Sequence, residues 1–116
     1  MRSESESSSG SGDLSSRIRQ LLSQDRVVGE RQMFGGTCFM INGNMCVATW
    51  KKSLIVRVSK DAYESLLTEP HTKPADMNGR PMQGWVLVAP DGIASDDDLG
   101  TWLIRALEYV LTLPPK

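Results

Sequence analysis

The amino-acid sequence predicts an α+β fold, in which about five antiparallel strands and three helices follow the order α-β-β-β-β-α-β-α. Apolar residues recur at helical spacing near both ends of the chain, and apolar runs separated by short turns occupy the middle. Connections that short join antiparallel strands, so four strands form a meander and a fifth joins them later in the chain. Helices that flank such a sheet pack on one of its faces, which predicts a two-layer sandwich.

Composition and charge indicate one globular domain behind a short polar tail. The chain has 116 residues, of which 40% are hydrophobic and 23% are charged, as in ordinary globular proteins. Residues 1–12 are almost entirely Ser, Gly and Glu, so we expect a disordered tail at 1–12 and a single domain at 13–116. Removing Arg2, Glu4 and Glu6 from the 13 basic and 14 acidic residues leaves 12 of each. A neutral domain argues against nucleic acid or an anionic membrane as the partner.

The sequence also bears on the compartment. No apolar run approaches the roughly 20 residues that span a bilayer, and the first 12 residues lack the apolar segment of a secretory signal. Cys38 and Cys46 are the only cysteines, which is too few for a disulfide scaffold. We therefore expect a cytoplasmic protein with no membrane partner.

Local patterns place the first helix and the strand meander. The apolar stripe of a helix that starts at Asp13 consists of Leu14, Ile18, Leu21 and Leu22. Asn42-Gly43 between two apolar runs is a strong hairpin signal, and Lys51-Lys52 marks a second tight turn. The four strands predicted around these turns are 27–34, 37–41, 45–50 and 54–58.

The second half of the chain predicts two more helices and a long loop. Ser59 is placed to cap a helix that ends before Pro70, and Ser95 is placed to cap a helix that ends before Pro114. Residues 69–84 carry three prolines and two glycines, which predicts a long loop with room for a short edge strand. The composition of 85–89 predicts a last strand that is buried on both faces.

Several segments resemble the TfoX N-terminal domain family, which takes its name from bacterial regulators of natural competence. These segments are MFGG at 33–36, FMINGNMC at 39–46, LIVRV at 54–58, PMQGWV at 81–86, and the C-terminal run that starts RAL at 105–107 and ends LPPK at 113–116. The resemblance covers about residues 14–116. It implies a compact α+β domain similar to type III secretion chaperones, with a five-stranded antiparallel sheet.

The same resemblance implies much less about function than about fold. It supplies no catalytic residue, cofactor or metal ligand, so we expect a non-catalytic domain with no cofactor. The competence regulators carry a second, helical domain, and this chain resembles only their N-terminal domain.

The stretch 33–50 suggests how such a domain would act. Between Arg31 and Lys51 the only ionisable side chains are the two cysteines, and the stretch is rich in Phe and Met. Apolar surfaces of this kind either pack in the core or bind another molecule. We expect a protein partner or self-association through the sheet. The candidate interaction and ligand residues are Met33, Phe34, Phe39, Met45, Arg57, Arg80, Met82 and Trp85.

Binding of a small anionic molecule is the first alternative hypothesis. The pocket would lie between the sheet and loop 69–84, with Trp85 and Met82 as its lining and Arg57 or Arg80 binding the anion. Strand alternation places Arg57 on the same face as Ile55. From sequence alone, Arg57 could lie on a solvated face, pair with an acid, or form an anion site.

Nucleic-acid binding is the weakest alternative. It would require one surface to gather four arginines from the first helix and first strand, namely Arg17, Arg19, Arg26 and Arg31.

The remaining reactive side chains suit structural roles. The spacing around the Asn42-Gly43 turn predicts that Cys38 and Cys46 face opposite sides of the sheet, which excludes a disulfide between them. His71 is the only histidine and lies in the predicted loop, far in sequence from a nucleophile. The acids 96–98 fit the N-terminus of a helix, so we expect no metal site.

Overall fold

A computed structural model describes residues 11–22, 28–33, 36–76 and 81–115. Its elements follow the order α-β-β-β-β-α-β-β-3₁₀-α, which confirms the predicted α+β class with six strands instead of about five. The helices are α1 (Ser11–Leu22), α2 (Lys60–Leu66) and α3 (Asp96–Val110), with a 3₁₀ turn at Pro90–Ile93. The strands are β1 (Val28–Met33), β2 (Gly36–Ile41), β3 (Asn44–Trp50), β4 (Ser53–Arg57), β5 (Thr72–Asp76) and β6 (Pro81–Val88).

All six strands form one antiparallel sheet in the order β1-β2-β3-β4-β6-β5. The additional strand corrects the prediction of a long loop at 69–84, because β5 and the first half of β6 fall within that segment. Proline is tolerated in an edge strand, where the missing N–H faces away from the sheet, and Pro74 lies in edge strand β5. The prolines that suggest a loop therefore mark a sheet edge.

The predicted turns and caps form as expected. Asn42 and Gly43 have φ of 54° and 81°, the left-handed conformation that a two-residue hairpin turn needs at both positions. The Ser59 hydroxyl accepts a hydrogen bond from the Ala62 amide at 3.1 Å, so α2 begins where the sequence places it. The Ser95 hydroxyl caps α3 in the same way.

The three helices cover one face of the sheet, which we call the helix face. The main core lies here, and every helix contributes to it. Helix α1 begins at Ser11, two residues before the predicted boundary, and buries Leu14, Ile18 and Leu22. The buried stripe of α1 is narrower than predicted, because Leu21 remains 38% exposed.

The opposite face, which we call the open face, carries a second apolar cluster. Its buried members are Cys38, Ala48, Ile55, Ala75 and Leu87, and all of them belong to strands. Within the described part of the chain, each helix buries its apolar side chains in the main core and contributes none to this cluster. The described helices therefore cover one face of the sheet and leave the other uncovered.

A β-bulge in β3 changes the face that Val47 occupies but not the faces of the two cysteines. The pairing of β2 with β3 shifts register between Phe39 and Met40, so that one residue of β3 is extra. Cys46 and Val47 both join the helix-face core as a result, whereas Cys38 lies in the open-face cluster. The prediction of opposite faces is confirmed, although it assumed a regular ladder.

Candidate functional site

The centre of the open face is a row of residues that lie opposite one another across the strands. Cys38 pairs with Ala48, Ala48 with Ile55, and Ile55 with Leu87. Directly paired residues project to the same face of a sheet, so these four side chains form a continuous apolar floor. Cys38 and Ala48 have small side chains, so this part of the floor lies close to the backbone of the sheet.

Cationic residues stand at both ends of this row. Arg31 of β1 pairs with Cys38, and Lys73 of β5 pairs with Leu87, so both cations share the face of the floor. Both residues are exposed. The row thus runs from a cation at one sheet edge, across an apolar centre, to a cation at the other edge.

Larger side chains surround the floor along the strand direction. These are the half-buried residues packed against the cluster, namely Met40, Met45, Trp50, Met82 and Trp85. Trp50 lies opposite Ser53 and Trp85 lies opposite Arg57, and these two positions of β4 are four residues apart. At about 3.4 Å per residue, the two tryptophans are separated by about 14 Å along the strand, with Ile55 midway.

Arg57 is held by aromatic rings and not by an acid. Its Cζ lies 5.3 Å from the centroid of the Trp85 ring and 5.8 Å from that of Tyr109 in α3. One guanidinium nitrogen donates a hydrogen bond to the Met45 carbonyl oxygen at 3.3 Å. Among the described residues no carboxylate pairs with Arg57. Of the three roles that the sequence leaves open, an ion pair with an acid is therefore not found in the described part of the chain.

Four of the eight candidate residues come together on the open face: Met45, Arg57, Met82 and Trp85. The candidate Phe39 is not available for binding, because the β2 register turns it into the helix-face core, where it is 0% exposed. Met33 belongs to β1, but its side chain is outside the described set, and Phe34 and Arg80 lie outside the described residues.

The candidate residues predicted from sequence do not include Arg31, Met40 and Trp50, which also belong to this surface, although alternation from neighbouring residues could have found Met40 and Trp50. The sequence places Lys73 beside Arg57 only if the loop folds over that face, whereas Lys73 reaches the face from strand β5. The described residues 72–76 and 81–84 do not cover the sheet as the expected pocket requires, because they lie within it as strands.

The three described arginines among those considered for nucleic acid do not share one surface. Arg17 bonds Asp96 at 3.1 Å, and Arg19 forms a two-point ion pair with Glu30 at 2.6 and 2.9 Å. Arg31 projects from the open face instead, and Arg26 lies outside the described residues.

The shifted pKa values belong to structural groups. The hydrogen bond from Arg19 lowers the pKa of the Glu30 carboxyl, and burial raises the pKa of the Cys38 thiol, which favours its neutral form. No group of three or more His, Cys, Asp or Glu side chains that could hold a metal occurs in the described residues. His71 occupies the turn before β5, where its carbonyl oxygen accepts a hydrogen bond from the Ala89 amide at 2.8 Å.

A separate groove of about 570 Å³ opens between α2 and α3. Its lining consists of Val58, Ser59, Ala62, Leu66, Arg105, Glu108, Tyr109 and Thr112. The Cζ atom of Arg105 lies 4.6 Å from the centroid of the Trp102 ring, and its Nη1 atom lies 3.7 Å from Oε1 of Glu69. The groove is therefore apolar at its floor and mixed in charge at its rim.

Sheet, helix layer and open face together define a small two-layer α+β domain. The TfoX N-terminal domain family matches residues 20–110, so the chain belongs to that family and is a TfoX-like regulatory domain. None of the curated proteins matches the chain. The described helices are all too short or too polar to cross a membrane.

Proposed function

We propose that this protein is a non-catalytic regulatory domain that binds a partner protein through its open face. The observation that carries the proposal is the apolar cluster on a sheet face without a described helix, surrounded by two tryptophans and three methionines. An antiparallel sheet with one solvated face normally carries polar side chains there. Contiguous apolar surface on a small domain favours a binding site instead.

The composition of the open face also favours a protein as the partner. Tryptophan, methionine and arginine are enriched at protein interfaces, and tryptophan and arginine supply many of their energetically important contacts. Trp50, Trp85, Arg57, Met45 and Met82 are all half-buried here, so a partner could remove their remaining surface from water.

The proposal of a non-catalytic role rests on how the titratable groups are distributed. Catalytic sites usually bring together groups with strongly perturbed pKa values in a cleft. In the described part of the chain, the shifted groups are a surface ion pair between Arg19 and Glu30 and the buried Cys38 thiol. We place the protein in the cytoplasm, which suits two buried cysteines that form no disulfide.

A matched pair of substitutions tests the proposal. Ile55 is 4% exposed at the centre of the open face, whereas Ile104 is 58% exposed on α3. Ile55→Gln puts an amide into the buried layer directly beneath the binding surface, and Ile104→Gln makes the same chemical change elsewhere. Partners captured from extracts of the source cells would be identified, purified and titrated against each protein.

We expect Ile55→Gln to weaken partner binding by at least about tenfold and Ile104→Gln to leave it within about twofold. Because a buried amide costs about 1–3 kcal/mol, circular dichroism must confirm that Ile55→Gln folds. The half-buried Met82→Gln is the replacement if it does not. Equal binding by all variants would contradict the proposal.

A second candidate is binding of a small anionic ligand, which the groove between α2 and α3 favours. Its volume of about 570 Å³ falls in the range of ligand sites, and Arg105 lines it. Thermal-shift screening with carboxylates and phosphates would test this. An increase in melting temperature that Arg105→Gln abolishes supports this candidate function. If no anion raises the melting temperature, the candidate function is excluded.

A further inference from the structure

The charge of the open face carries an inference about the partner. Three cations lie on it: Arg31 and Lys73 at the ends of the central row, and Arg57 beside Trp85. Lys51 adds a fourth, with its Nζ 4.9 Å from the centroid of the Trp50 ring. Asp76, at the β5 edge, is the one carboxylate that we find lining this surface among the described residues. Among the described residues this surface therefore carries more positive than negative charge, although the domain as a whole is neutral.

Of the four cations on the open face, Arg57 has the geometry best suited to binding an anion. A guanidinium has five N–H donors, and the structure assigns one of its hydrogen bonds, to the Met45 carbonyl oxygen. Contacts with the Trp85 and Tyr109 rings hold the group in place, which lowers the entropy lost on binding. A planar guanidinium fixed in this way suits two-point hydrogen bonding to a carboxylate.

We infer that the open face binds an acidic segment of a partner protein. Apolar side chains of the segment pack on the half-buried Met45, Met82 and Trp85 that surround the buried floor, and an Asp or Glu carboxylate binds Arg57. Arg31 and Lys73 attract further acids at the two ends of the row. This inference rests on the proposed function, since it names the partner of the same surface.

A second copy of the chain fits this surface less well. Two open faces packed together would bring cations of one copy toward cations of the other, and like charges across an interface are unfavourable. Asp76 offers one compensating carboxylate per copy at the edge. Charge complementarity therefore favours a different, acidic molecule.

Single-stranded nucleic acid also fits less well. Such ligands stack their bases on open aromatic faces. A cation covers one face of each indole here, Lys51 on Trp50 and Arg57 on Trp85, and both tryptophans are half-buried. The floor between them is aliphatic and suits side chains of a peptide.

The test uses the full chain and a displayed library of random 12-residue peptides as the probe. We expect the selected peptides to be enriched in Asp and Glu together with large apolar residues. Their affinity should fall at least tenfold for Arg57→Met, and it should weaken several-fold when salt is raised from 50 to 500 mM.

Arg17→Met is the matched control. Arg17 is also half-buried, but it lies on α1 and forms an ion pair with Asp96. We expect it to change peptide affinity less than twofold. If Arg57→Met fails to fold, Arg57→Lys keeps the charge, loses the two-point geometry, and should bind several-fold more weakly than the wild type.

The outcomes separate the inference from the proposed function. The inference is overturned if the selected peptides bind Met82→Gln more weakly but contain no acidic residues, or if their affinity is the same for Arg57→Met as for the wild type. Either result leaves the proposed function standing. A failure to select any peptide that depends on Met82 contradicts both. Binding of a dT20 oligonucleotide with similar affinity, or dimerisation that Met82→Gln abolishes, also overturns the inference.

Discussion

Replacing Gly36 by alanine tests the strand packing on which both sheet faces depend. Gly36 starts β2, and a Cβ added there would lie 2.0 Å from the Thr49 carbonyl oxygen and 2.9 Å from its carbonyl carbon. Both atoms are backbone, so β2 and β3 must separate locally. The neighbouring buried hydrogen bond from the Thr37 amide to the Thr49 hydroxyl, 2.9 Å long, would stretch as well.

The expected loss is large for a single methyl group. Overpacking costs about 1–3 kcal/mol and a broken buried hydrogen bond costs about as much again, so we expect a loss of about 3–4 kcal/mol. For a domain of this size the melting temperature should fall by about 10–15 °C. Urea unfolding followed by circular dichroism measures both values.

Gly100→Ala is the control for the same chemical change. Nothing lies within 4 Å of a Cβ at Gly100, which is inside α3, so alanine should stabilise the protein by about 0.5–1 kcal/mol. If Gly36→Ala were as stable as the wild type, the close approach of β2 to Thr49 would be wrong.

Three further predictions concern single side chains. The Ser15 hydroxyl is buried and has no hydrogen-bond partner in the described part of the chain, so Ser15→Ala should raise the free energy of unfolding by about 1 kcal/mol; a loss on urea unfolding would show that the hydroxyl is satisfied. Because burial raises the pKa of the Cys38 thiol, iodoacetamide should modify it more than about tenfold more slowly in the folded than in the urea-unfolded protein, as mass spectrometry would measure; equal rates would contradict its burial. Arg19 lowers the folded pKa of Glu30, so the ion pair should stabilise the wild type relative to Glu30→Gln above about pH 4.3 and lose that effect as pH falls through the folded pKa. The stability difference between the wild type and Glu30→Gln should be small, because the ion pair is exposed. A difference that increased as the pH fell would contradict the prediction.

Features set by a few adjacent residues could be predicted from sequence. The turn at Asn42-Gly43 needs two residues that accept positive φ, and Ser59 and Ser95 each precede a helix with a hydroxyl in reach of its first amides. The helical stripe in 14–22 also follows from spacing, although which of its edge residues is buried depends on the sheet beneath.

Features set by pairing between distant residues could not be predicted. Strand β5 holds Pro74 and exists because β6 offers it an edge, which no local pattern records. The bulge in β3 adds one residue and therefore changes which side chains pair across β2, so the row from Arg31 to Lys73 emerges only from the whole register. Phe39 was misjudged for a related reason, since richness in Phe and Met says nothing of which face each residue occupies.

The most direct test of the account is methionine oxidation, measured by mass spectrometry with and without a selected acidic peptide. Met45 and Met82 are half-buried at the margin of the open face. The account predicts that saturating peptide slows their oxidation several-fold and that Arg57→Met restores it at the same peptide concentration. Oxidation of both methionines at an unchanged rate while the peptide is bound would contradict binding at the open face.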